Sequence, residues 1–171
     1  MDAIVERSYS KLLNNLEDMT TLYRQLLDVV RKEKEMLLSA QLDELTENNL
    51  IKDQILMKIR LVDTLRYKHA QELALVIKAD FENPRLLDLA QKMSSLEGDQ
   101  LRSLHATLDL LIRRLMEFNR ENEAYAQKAL QTLNGSMNDI KETLTGKKTY
   151  EKKGHYKAGP EQAGNFVSKE V

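Results

Sequence analysis

Between Val5 and Leu37 apolar side chains recur at alternating steps of four and three: Val5, Tyr9, Leu12, Leu16, Met19, Tyr23, Leu26, Val30 and Leu37, with Glu33 as the interruption. A repeat of 3.5 residues is the coiled-coil period. It commits this stretch to a long helix that must bury a continuous seam. Leu13, Leu22, Leu27 and Val29 widen the seam, so the helix is expected to face two neighbours. A chain that opens this way has few options besides a bundle of long helices.

The rest of the chain extends the pattern. Ser39-Ala40-Gln41 holds neither Gly nor Pro, yet the first register ends there, and Asp43 and Glu44 follow where a first turn favours acids. A turn is therefore expected at 39–41. A second helix, to about Ala79, carries Leu42, Leu45, Ile51, Ile55, Leu56, Ile59, Val62, Leu65, Leu73 and Val76 in a less regular stripe. Asp80-Phe81-Glu82-Asn83-Pro84 marks a boundary, with Asn83 as cap and Pro84 at the first helical position. A third helix then runs through Leu86, Leu89, Met93 and Leu96, and on through Leu101, Leu104, Leu108, Leu111, Leu115 and Phe118 to Leu133. The five-residue step beside Gly98 reads as a stutter.

Composition limits what such a bundle does. There is no Cys and no Trp, and the net charge is −1 with 31% charged residues. Disulfides, thiolate zinc sites and cysteine nucleophiles are excluded, and nothing in the overall charge calls for nucleic acid. The opening residues lack the basic-then-apolar plan of a signal peptide, and no apolar run reaches the ~18 residues of a membrane span. Cytoplasmic residence is the expectation, with no integral membrane segment. Gly98 and Pro84 are the only breakers before Asn134, whereas five Gly and one Pro follow it.

The predicted fold is accordingly all-α: a long antiparallel three-helix bundle or coiled coil over 1–134, a short amphipathic segment over 135–145, and a flexible basic tail over 146–171. The short segment opens on Ser136 and sets Met137, Ile140 and Leu144 on one face. At 1.5 Å per residue the three helices measure roughly 50, 55 and 75 Å, so the third is expected to outrun its partners by about 20 Å. Leu130, Leu133, Met137, Ile140 and Leu144 are then the candidate partner-binding side chains. A homodimer through the same surface is the competing use.

Constellations for chemistry are missing from the sequence. His69, His105 and His155 form no Glu-x-x-His or His-Glu-x-x-His spacing, Gly98 stands alone rather than in a phosphate loop, and near-continuous helix presents no nucleophile turn. No catalytic residue, metal ligand or cofactor is expected. The tail carries six Lys against three Glu, which suits either an anionic surface contact or simple solubility. Asn122 sits on the apolar stripe between Phe118 and Tyr125, where a polar side chain either fixes register or lies wet at an edge.

Taken together, certain segments resemble the FlgN family of flagellar export chaperones. They are Glu33-Lys34-Glu35-Met36-Leu37-Leu38 closing the first helix, Leu42-Asp43-Glu44-Leu45-Thr46-Glu47 after the break, and Lys52 before Ile55-Leu56. Late in the chain come Asn119-Arg120-Glu121-Asn122, then Tyr150 with Gly154 four positions on. The resemblance spans roughly residues 5 to 155. It implies a cytoplasmic type III export chaperone that binds the C-terminal regions of the hook–filament junction proteins FlgK and FlgL and delivers them to the export gate protein FlhA. It further implies cargo binding at the end of the third helix with the Met137 segment, and gate docking through Tyr150 and Gly154. A structural coiled-coil homodimer or adaptor without an export role is the alternative. Ala40-Gln41 stands where the family often has Gly-Asp, and the extension beyond Gly159 has no family counterpart.

Overall fold

The computed structural model describes residues 2–145; the expected tail, with Tyr150 and Gly154, lies outside them. Four helices and no strand occur among the described residues: α1 Ala3–Ser39, α2 Leu42–Val76, α3 Leu86–Lys92 and α4 Ser95–Thr145. The all-α class is as expected from the 3.5-residue repeats. The chain divides after Glu123 into two compact units, and α4 contributes to both.

In the first unit α1 and α2 run antiparallel. The start of α1 meets the end of α2 through Lys11 and Glu72 (3.3 Å), and its end meets the start of α2 through Glu33 and Lys52 (2.8 Å). The early part of α4 runs alongside α1 in the same direction. Tyr9 donates its hydroxyl to Gln100 Oε1 and to the Glu97 carbonyl near one end, and Lys34 pairs with Glu121 at 2.7 Å near the other. The result is an up-down-up bundle. Its core is two leucine-rich clusters, one around Leu12, Leu16, Leu73, Leu89 and Leu101, the other around Leu26, Leu27, Val30, Ile55, Ile59, Leu111 and Leu115. Both draw on the α1 repeat, and each such side chain contributes roughly 1.5–3 kcal/mol on burial.

The turn at Ser39–Gln41 forms as expected, by a left-handed residue. Ala40 adopts φ 55°, ψ 34°, and the Gln41 amide returns to the Met36 carbonyl at 3.1 Å. That is a Schellman closure, usually made by Gly; here the Ser39 hydroxyl bonds the Glu35 carbonyl and Gln41 Oε1, adding support around the strained position.

Three local expectations are corrected. The third helix is two helices: Met93 takes an extended conformation (φ −85°, ψ 166°) and ends α3, and the five-residue step from Leu96 to Leu101 falls in the first turns of α4, where Leu96 is exposed and the buried seam starts at Leu101. Gly98 is needed there because a Cβ would lie 2.4 Å from the Ala90 carbonyl oxygen. Asn83 and Pro84 do not start α3. Asp80 instead accepts from the Glu82 and Asn83 amides, Pro84 is buried ahead of the helix, and Arg85 is the cap residue. Finally, Gly135 does not interrupt the chain: α4 continues through it to Thr145. One glycine in a helix costs about 1 kcal/mol, too little to break a long run of good helix formers.

Candidate functional site

Helix formation past Gly135 aligns the five candidate side chains on one element. Leu130, Leu133, Met137, Ile140 and Leu144 follow steps of three, four, three and four, so they occupy the a and d positions of a coiled-coil seam. Each is more than half exposed, from 57% at Leu133 to 69% at Leu144. Every residue from Glu123 to Thr145 is exposed. A seam of this kind left exposed among the described residues is the usual mark of a surface that takes a partner.

The borders of the seam are nearly uncharged. Ala129, Ser136 and Thr143 line one edge, and Gln127, Asn134 and Lys141 the other. The hydroxyls turn inward on their own helix: Thr132 donates to the Lys128 carbonyl, Ser136 to Thr132, Thr143 to Asp139 and Thr145 to Lys141, at 2.8–3.1 Å. With those hydroxyls satisfied locally, an incoming apolar helix face has fewer water-bound groups to strip. Small and neutral edges also set no charge pattern on the partner, unlike the Glu/Lys borders that select partners in dedicated coiled coils. The arrangement suits an amphipathic helix recognised by shape and apolar spacing.

In the first unit the polar residues on the α1 and α4 stripes find specific partners. Asn122 is buried at 4% exposure and donates Nδ2–H to the Val30 carbonyl at 3.0 Å and to Glu33 Oε2 at 3.3 Å. Asn48 donates to the Val29 carbonyl at 3.1 Å. Glu33, the interruption in the α1 repeat, accepts both Asn122 and the ammonium of Lys52, with side chains only 14% and 22% exposed. Phe118 closes this level under Arg31, 5.4 Å from the ring centre. So Asn122 takes the register-fixing role rather than the wet edge. This polar layer, joining all three long helices, was not foreseen; the interruption at Glu33 and the Asn at 122 were its traces in the sequence.

An open groove of about 660 Å³ also lies in the first unit, with Leu16, Met19, Tyr23, Leu86, Leu108 and Ile112 among its apolar lining. His105 stands at its edge, and His69 sits 3.6 Å from Glu72 on α2. Burial raises the Tyr23 hydroxyl pKa, with Asp63 adding to the effect and Arg66 opposing it. Among the described residues no group of three or more His, Asp or Glu side chains could hold a metal ion, and no helix is long and apolar enough to cross a membrane. The expected docking residues Tyr150 and Gly154 lie outside the described residues.

A family model described as FlgN protein matches residues 1–158. No curated protein and no solved structure matches the chain.

Proposed function

The chain belongs to the FlgN family of flagellar export chaperones, and on that premise we propose that it captures the C-terminal regions of the junction proteins FlgK and FlgL on the seam of α4 and delivers them to the export gate protein FlhA from the cytoplasm. The observation that carries this reading is the exposed seam itself: five apolar side chains at coiled-coil spacing, each more than half exposed. Full burial of each contributes roughly 1.5–3 kcal/mol before the cost of ordering the partner. Subunit ends that fold on capture suit such a seam, because an apolar helix face supplies affinity without demanding one sequence. Keeping those ends covered would hold the subunits unassembled. No catalytic step is part of this role. Tyr150 and Gly154 would act separately, at the gate.

The test is calorimetric titration of the purified chain with C-terminal fragments of FlgK and FlgL. Met137→Asp with Ile140→Asp is expected to abolish binding while leaving the melting temperature nearly unchanged, since neither side chain is buried. Tyr150→Ala is expected to keep cargo affinity and lose FlhA binding. Wild-type cargo affinity in the double Asp variant places the cargo surface elsewhere. Self-association that persists unchanged on cargo addition favours a structural dimer instead.

A further inference from the structure

Helix α2 is apolar on two opposite sides. Ile55 and Ile59 are 7% exposed in the core. On the far side Leu50, Met57 and Leu61 are 61%, 66% and 68% exposed. Their spacing of i, i+7 and i+11 stacks them along one line, Met57 and Leu61 each within about 20° of Leu50 at 100° per residue. This second line is separate from the side of α2 that carries Ile55 and Ile59. It also leaves a row of large side chains facing water within the three-helix unit, well away in sequence from the α4 seam.

The charges beside this line are segregated along the helix. Asp43, Glu47 and Asp53 lie in its first half and Lys58, Arg60 and Lys68 in its second, all exposed. The other nearby charges are engaged within the chain: Asp63 with Arg66 at 2.8 Å, Glu72 with Lys11 at 3.3 Å and Lys52 with Glu33 at 2.8 Å. An acidic half followed by a basic half is complementary to itself when reversed. With a two-fold axis passing close to Met57, Leu50 faces the partner's Leu61, Asp53 faces the partner's Arg60, and Asp43 faces the partner's Lys68. A parallel pair would instead oppose like charges along its whole length.

We propose that the outer face of α2 is a self-association surface that pairs two copies of this chain antiparallel through Leu50, Met57 and Leu61, with Asp53 and Arg60 setting the direction. The occupant is a second copy because the apolar line and the charge order are both self-complementary under one two-fold operation, as an isologous contact requires. Three such side chains expose roughly 60–120 Å² of apolar surface each, so the pair buries well under 1,000 Å² of it. The dimer is therefore weak and reversible, and it leaves the α4 seam of each copy open.

Sedimentation equilibrium of the full chain across the micromolar range tests this, with circular dichroism to verify helicity. Wild type is expected to show a concentration-dependent dimer. Leu61→Arg, and independently Leu50→Arg, should weaken it at least tenfold without loss of helix. Asp53→Arg and Arg60→Asp should each weaken it, and the two combined should restore it, which no change in folding mimics. A wild-type chain that stays monomeric throughout overturns the proposal. So does a dimer indifferent to Leu61→Arg, or charge variants that fail to rescue one another. A dimer lost in Met137→Asp with Ile140→Asp but kept in Leu61→Arg moves self-association to the α4 seam.

Discussion

Asn122 donates its side-chain amide to the backbone carbonyl of Val30 across 3.0 Å, from a position on α4 that the apolar repeat reserves for a hydrophobic residue. The contact fixes α4 against α1 at one level, since a slide by one turn would bury the amide against leucine. Its Oδ1 is buried and has no partner among the described residues, so the arrangement gives up stability for register.

Replacing Asn122 separates the two contributions. Asn122→Asp sets a carboxylate against the Val30 carbonyl and the Glu33 carboxylate, and is expected to destabilise the bundle by roughly 2–4 kcal/mol. Asn122→Leu removes the unpaired Oδ1 and should stay within about 1 kcal/mol of wild type. Urea denaturation at neutral pH measures both.

Glu33 and Lys52 should show the asymmetry of a half-buried ion pair. Lys52→Met leaves the carboxylate with only the Asn122 amide and is expected to cost roughly 1–3 kcal/mol, while Glu33→Leu with Lys52→Leu together should cost less than either alone. A double-mutant cycle reads the coupling directly.

The two described glycines should respond in opposite directions to alanine. At Gly98 a Cβ meets the Ala90 carbonyl oxygen at 2.4 Å, and backbone must move. Gly98→Ala is expected to lower stability by roughly 1–3 kcal/mol. At Gly135 nothing lies within 4 Å of a Cβ and the residue is mid-helix. Gly135→Ala should raise helical content and stabilise that part of α4 by about 0.5–1 kcal/mol. Circular dichroism melts distinguish the two.

Alkaline pH should loosen the bundle through its tyrosines. Tyr9 is pushed above the ordinary value of 10.0 by burial first, then by Glu97 and Glu17. Tyr23 is raised likewise, by burial first and by Asp63. A raised folded value means the native state holds its phenolic proton longer than the unfolded chain does. The stabilisation is complete below pH 10 and is lost as pH climbs through the folded values. Urea midpoints at pH 8 and pH 10.5 should diverge in wild type and converge in the Tyr9→Phe, Tyr23→Phe double variant.

Much of the architecture was legible because helical periodicity is a local property. The spacing from Val5 to Leu37 is enough to define a long helix with a wide seam, and the step change at Ser39–Gln41 is enough to end it. The α4 seam was legible for the same reason: Leu130 to Leu144 keep coiled-coil spacing whatever surrounds them. The breaks were harder to read. Met93 ends α3 without a breaker residue, and Gly135 fails to end α4 despite being one, because the outcome depends on whether neighbouring segments offer burial that outweighs a propensity of about 1 kcal/mol.

The sequence by itself determined the helical class, the first turn and the apolar lines on α1 and α4, since each follows from spacing of 3.5 residues along one segment. Tertiary structure decided which of the two apolar sides of α2 became core, that Glu33 and Asn122 would meet Lys52 and the Val30 carbonyl, and that Gly98 would lie under Ala90. Those are contacts between residues on different helices, 8 to 92 positions apart in the chain. Periodicity states which face of a helix avoids water; only the packed neighbours state what that face, or the polar residue set into it, will touch.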